Sequence, residues 1–136
     1  ETLALLGESA GGYLAAAVDA FSEKPQFQRV ILANPITDLT LDCWGKFAQN
    51  GASKAMLSPA LHVGAQCSPT LLLHGEADKT VSPEHSLRYH AAMQKAGVPC
   101  DLLLLKSTTH AFLLAEYYKD TAAFETAAQW MREECQ

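Results

Sequence analysis

At 136 residues the chain has the length of one domain, and 49% apolar with 18% charged residues excludes a disordered composition. A formal net charge of −5, with the basic residues scattered, excludes a nucleic-acid partner, because phosphate binding needs clustered Lys and Arg. The longest apolar runs, residues 3–6 and 102–105, fall far short of the ~20 residues of a membrane span.

Residues 2–6 form a short apolar run ending at Gly7, which predicts a strand buried on both faces. Glu1 opens straight into that run with no targeting segment, so the expectation is a chain cut partway through a longer protein. Residues 12–22, with Tyr13, Ala17 and Ala20 at helical spacing, predict a helix that Pro25 prevents from continuing. Residues 29–33 (Arg-Val-Ile-Leu-Ala) are the next strand, stopped by Asn34-Pro35. Residues 36–66 are irregular, with a short helix expected over 41–49.

A third strand covers residues 69–74, ended by Gly75. Ser82-Pro83-Glu84 is a helix start, with an N-cap serine, a proline at the first helical position and an acid in the first turn. That helix runs to Ala96, where Gly97 and Pro99 are a stop signal. Residues 101–106 are the fourth strand, and Asp120 can cap a last helix with Phe124, Ala127, Ala128 and Met131 as its apolar stripe. Strands alternating with helices imply an α/β fold, a parallel sheet with helices on both faces and chemistry at the carboxyl ends of the strands.

Gly7-Glu8-Ser9-Ala10-Gly11 matches G-x-S-x-G between a strand and a helix, the context in which that motif presents a nucleophilic serine. The tight turn asks for small residues two before and two after the serine, met by Gly7 and Gly11. The N–H of Ala10, at the head of the helix, is placed to receive a developing oxyanion. A serine hydroxyl needs a base and the base an orienting acid. Asp78 follows the third strand and His110 the fourth, and the order Ser, Asp, His is the one this architecture uses.

Glu76 is a rival acid set too near its strand end. Asp101 and His74, at or within strands, read as structural, and His85 and His90 as packed or solvated helix residues. His62 is a candidate for the cleft mouth, and Glu8 has no assigned role. Trp44, Phe47 and Met56 are candidates for an acyl or alcohol pocket, or for plain packing. Cys43, Cys67, Cys100 and Cys135 form no C-x-x-C pair, which argues against zinc and for thiols, with a disulfide left open by the even count.

Residues 7–12 (GESAGG), 58–63 (SPALHV), 69–78 (PTLLLHGEAD), 81–83 (VSP), 96–99 (AGVP) and 110–112 (HAF) resemble α/β-hydrolase-fold esterases of the acetyl-esterase and acetylxylan-esterase type, close to the hormone-sensitive-lipase-like enzymes. The resemblance implies Ser9 as nucleophile, Asp78 as acid, His110 as base and Ala10 N–H as an oxyanion donor. Prolyl-oligopeptidase-type peptidases look similar over residues 69–112. The implied activity is hydrolysis of short-chain esters, acetylated sugars among them, without metal or organic cofactor. A peptidase or formamidase on the same scaffold and a non-catalytic remnant are the alternatives. The chain departs from the family in lacking glycines in the loop 106–110 and in lacking the upstream half, whose His-Gly-Gly loop supplies a second oxyanion donor. Residues 1–136 are therefore expected to be the C-terminal part of one hydrolase domain. The first strand would be covered by the missing N-terminal half as a second chain, or by a homo-oligomer.

Overall fold

Four short apolar segments pair as parallel strands: β1 (Ala4–Glu8), β2 (Arg29–Ala33), β3 (Thr70–Gly75) and β4 (Cys100–Leu105). The structure, a computed structural model, describes residues 3–48, 53–111 and 122–132. Strand order follows chain order, β1-β2-β3-β4, with Leu6 opposite Ile31, Leu32 opposite Leu72 and Leu72 opposite Leu102. Parallel neighbours need crossovers. Helix α1 (Ala10–Ala20) makes the first and α2 (Glu84–Ala96) the third. Between β2 and β3 the described residues form two 3-10 turns, Trp44–Phe47 and Pro59–Leu61, the first lying where a short helix was expected. Helix α3 (Ala122–Arg132) follows β4.

Side-chain alternation divides the core into two layers. Val30, Leu32 and Leu72 pack against Ala15, Ala16 and Ala20 of α1 and against Tyr89 and Met93 of α2. Ile31, Ala33, Leu71 and Leu73 point to the opposite face, toward Ala127 and Trp130 of α3. Helices thus cover both faces of an α/β sheet, as the sequence predicts. Of the stripe expected on α3, Ala127 is buried and Ala128 half-buried, while the Phe124 and Met131 side chains and Asp120 lie outside the described part.

Two boundaries differ from the sequence reading. β1 continues to Glu8 and α1 begins at Ala10, so a single residue, Ser9, makes the bend. The helix thus starts two residues before the expected Gly12 and takes Gly11 into its first turn. The buried side of α1 is Gly12, Ala15, Ala16, Asp19 and Ala20, one position round from the expected stripe. Asp19 joins it because both its carboxylate oxygens accept the Ser68 N–H, at 3.0 and 3.1 Å. Burial pushes that carboxyl up, and the Ser68 bonds only partly oppose it.

α2 keeps its predicted ends. Ser82 Oγ accepts the Glu84 N–H at 3.2 Å, and Gly97 at φ 71 closes the helix as its N–H reaches Gln94 and that of Val98 reaches Met93. Cys43, Cys67 and Cys100 are free thiols, and Cys135 lies outside the described part. Burial, helped by Asp101, pushes the Cys100 thiol up to about 12, which leaves it inert. Among the described residues no helix is long and apolar enough to cross a membrane.

Candidate active site

β1 delivers Ser9 to the carboxyl edge of the sheet, and α1 leaves from it at once. Ser9 sits at φ 55 and ψ −118, where L-residues are strained. Its N–H donates to the Ala33 carbonyl at 3.0 Å, and its own carbonyl accepts the Tyr13 N–H at 3.0 Å, so strand and helix both grip it. A methyl group at Gly7 would strike the Gly11 backbone and, at 2.9 Å, the Ala15 Cβ. Gly12 is pressed on Pro35, where an added Cβ would lie 2.8 Å from Pro35 Cβ. Gly11 is different: a Cβ there meets nothing within 4 Å, so the small residue expected two positions after the serine is not required by packing. Gly11 is exposed, and only the residue on the strand side is wedged under the helix.

Asp78 lies on the turn after β3, its N–H donating to the Gly75 carbonyl at 3.1 Å. Its Oδ1 accepts the N–H groups of Thr80 and Val81, each at 2.9 Å, leaving Oδ2 for a third donor. The loop after β4 carries His110 and docks on this turn, with Thr108 O accepting the Ala77 N–H at 3.0 Å. Gly75 permits the docking, since a Cβ there would run into the Thr108 carbonyl. Where the loop lacks glycines, Ser107 at φ 55 and Ala111 at φ 57 take the left-handed conformations themselves.

These loops bring the three predicted residues together. His110 Nδ1–H donates to Asp78 Oδ2 at 2.7 Å, and Ser9 Oγ–H donates to His110 Nε2 at 2.8 Å. An ionised carboxylate only accepts, which puts the ring hydrogen on Nδ1 and leaves the Nε2 lone pair facing the serine. The Asp78 side chain is fully buried, whereas that of His110 is 20% exposed, so the relay runs from the protein interior to solvent. Ala10 opens α1 beside Ser9, and the first N–H groups of a helix have no partner within it.

Beside Ala10 lies a cavity of about 290 Å³ walled by Tyr13, Ile36, Leu39, Trp44 and Leu57. Trp44 is therefore a pocket residue, while Met56 is exposed elsewhere and the Phe47 side chain lies outside the described part. Tyr13, whose hydroxyl donates to the Leu57 carbonyl at 3.0 Å, was missed. Its position four residues past the serine, on the first turn of the helix, was the available signal.

Of the other candidates, His74 lies against Asp78, its Nε2 3.4 Å from Oδ2, and the rest stand apart from this relay. Glu76 is exposed, Asp101 accepts the Trp130 indole N–H at 3.2 Å, and Glu8 is half-buried at the end of β1. His62 Nε2–H donates to the Ala55 carbonyl at 3.1 Å and its ring lies 4.8 Å from that of Phe21. His90 Nε2–H donates to the Cys100 carbonyl at 3.1 Å. His85 is buried, its Nδ1 accepting the N–H groups of Thr37 and Asp38 at 3.1 and 3.2 Å. Asn34 ends β2 at φ 35 with its amide group buried and without a protein partner. Phe112 lies outside the described part.

The model of the prolyl oligopeptidase family matches residues 1–136, the full length, whereas the sequence reading confined that likeness to residues 69–112. The human acylamino-acid-releasing enzyme is 32% identical over 75 residues, 55% of this chain and 10% of that enzyme. Among solved structures, esterase 2 of Thermogutta terrifontis, phosphoramylated by tabun, is 28% identical with a TM-score of 0.77. The match covers 96% of this chain and 54% of the esterase. An acetyl ester-xyloside bifunctional hydrolase from Caldicellulosiruptor lactoaceticus is 25% identical with a TM-score of 0.74, over 88% of this chain and 50% of that one. The chain spans about half the length of these esterases and a tenth of the human enzyme. With a four-stranded parallel sheet of α/β-hydrolase form and a family match from first residue to last, the chain belongs to the prolyl oligopeptidase family.

Proposed function

We propose that the protein is a serine hydrolase that cleaves carboxylic esters of short acyl groups, acetyl foremost and sugar acetates among them, through an acyl-serine intermediate. The observation that carries this reading is the unbroken relay from Ser9 Oγ through His110 to Asp78. His110 Nε2 takes the hydroxyl proton as Ser9 Oγ adds to the acyl carbonyl. The tetrahedral oxyanion faces the Ala10 N–H at the positive end of α1. His110 Nε2–H then protonates the departing alkoxide, and the acyl group stays on Ser9. Water enters, gives its proton to His110 and releases the acid, and that proton returns to Ser9. Asp78 Oδ2 accepts the His110 Nδ1–H and so holds the imidazole in that tautomer. The cavity beside Ala10 is walled by apolar side chains and Tyr13, which suits an uncharged acyl or side-chain group.

The family match favours a second reading, in which the bond cleaved is an amide and the leaving group an amine, as in a peptidase or formamidase. The relay serves it equally, because the imidazolium protonates an amine as readily as an alkoxide. The intact protein and its Ser9→Ala form, assayed on p-nitrophenyl acetate and on N-acetylalanyl p-nitroanilide, test both readings. Ser9→Ala is expected to reduce the favoured activity by about 10⁴–10⁶-fold. The ratio between the two substrates separates esterase from amidase, and equal rates for the two proteins end the proposal. Failure of a fluorophosphonate probe to label Ser9 in the intact protein favours a non-catalytic remnant that acts in binding or assembly.

A further inference from the structure

Asp78 has a second imidazole against it. His74, on β3, is the one histidine within a strand, and both it and the Asp78 side chain are fully buried. His74 Nε2 lies 2.9 Å from the Val81 carbonyl oxygen and 3.4 Å from Asp78 Oδ2, the oxygen that also receives His110 Nδ1–H. On the other side of the ring, Nδ1 lies 2.7 Å from Ser86 Oγ of α2. A carbonyl only accepts, so Nε2 carries a hydrogen, which goes to Val81 while Asp78 Oδ2 lies close beside the same N–H. The Ser86 hydroxyl then donates to the Nδ1 lone pair. Burial keeps the ring neutral and, with the nearby His110, outweighs the pull of the Val81 carbonyl and the Asp78 charge.

The turn 78–81 is thereby held from three directions. Asp78 Oδ1 takes the N–H of Val81, His74 Nε2–H donates to the carbonyl of Val81, and the His74 ring packs its Nε2 3.4 Å from Asp78 Oδ2. We infer that His74 is a positioning residue of the hydrolytic centre, fixing the Asp78 carboxylate and its turn so that Oδ2 meets His110 Nδ1. The inference rests on the proposed Ser9–His110–Asp78 chemistry. Neutrality is part of the role: a cation here would compete with the His110 imidazolium for one carboxylate oxygen. The charged or titratable groups around His74 are Asp78 and His110 on the two loops and His85 on α2.

Three substitutions in the intact protein test this. His74→Leu keeps bulk and removes the donor, His74→Gln retains an N–H near the Nε2 position, and Ser86→Ala frees the ring without touching Asp78. Misplacing the acid by a fraction of an ångström is expected to lower kcat by about 10–100-fold in His74→Leu, with KM changed less than about twofold. His74→Gln is expected to restore most of the loss, and Ser86→Ala to show a smaller fall. The downfield proton resonance of the His110–Asp78 hydrogen bond gives a readout independent of turnover. It is expected to shift or vanish in His74→Leu and to persist in His74→Gln. A folded His74→Leu protein with wild-type kcat and an unmoved resonance overturns the inference. Should His74→Leu not fold, the same null result in Ser86→Ala overturns it. If Ser9→Ala leaves hydrolysis unchanged, the reading of Ser9 fails instead, and the resonance still decides the part played by His74.

Discussion

Ser9 occupies a backbone conformation that costs ~1–3 kcal/mol, and its hydrogen bonds to Ala33 and Tyr13 offset that cost at the bend between strand and helix. The same neighbourhood holds two buried neutral histidines, and they set a pH dependence. Burial, the largest cause in each, holds His74 and His85 below the ordinary value of 6.5, against the opposing charges of Asp78 at His74 and of Asp42 and Asp38 at His85. His85 also spends its Nδ1 lone pair on two backbone N–H groups, which a protonated ring could not accept. Below 6.5 the unfolded chain takes up protons that the folded chain refuses. Their contribution is therefore complete above 6.5 and lost as the pH falls toward the folded values, at up to about 1.4 kcal/mol per pH unit for each ring. Urea unfolding at pH 7.5, 6.5 and 5.5 is expected to show stability dropping over the lower interval; a flat profile contradicts the assignment. Ser9, Asp78 and His110 were legible because each follows its own strand in a fixed order. The contact between His74 and Asp78 was not, since strand periodicity tells which face a side chain takes but not which loop folds over it.

At the scale of elements, the glycines around the elbow separate a packing requirement from a pattern. Gly7→Ala drives a methyl into the Gly11 backbone and the Ala15 side chain, and overpacking of this kind costs about 1–3 kcal/mol or more. Gly11→Ala meets open space inside a helix, where alanine is favoured over glycine by about 1 kcal/mol. Thermal unfolding is expected to rank Gly7→Ala well below the parent and Gly11→Ala level with or above it; the reverse order would show that the turn is held otherwise. The strands β2, β3 and β4 and helix α2 were readable to within a residue from apolar runs and from Ser82, Gly97 and the prolines. The segment between β2 and β3 was readable as irregular, but not as a pocket wall, because Ile36, Leu39 and Leu57 reach the cavity from backbone that carries no periodicity.

For the molecule as a whole, β1 ends the sheet on one side among the described residues, Leu3 and Leu6 are exposed, and α1 turns Leu14, Val18 and Phe21 outward along one stripe. Leu14 is 63% and Val18 55% exposed, an apolar band on the helix that follows the edge strand. We propose that the 136-residue chain, made by itself, covers this band with a second copy paired along β1. Light scattering after gel filtration is expected to give at least a dimer mass, and Leu14→Lys with Val18→Lys to reduce it. A monomer at all concentrations rejects the copy, and a one-to-one complex with a separately expressed upstream half identifies that half as the occupant instead. None of this band was legible residue by residue, because an exposed leucine is ordinary until a helix sets Leu14, Val18 and Phe21 along one stripe.

The sequential strand order also has a meaning in time. β2, β3 and β4 each pair with the strand made just before, so β1, β2 and β3 can associate while later residues are still being synthesised. Ser9 and His110, however, are 101 positions apart, and His110 arrives only after β4 has been laid down. A growing chain thus holds Ser9 apart from His110 until β4 is in place, and the hydrogen bond between them is among the last contacts to form.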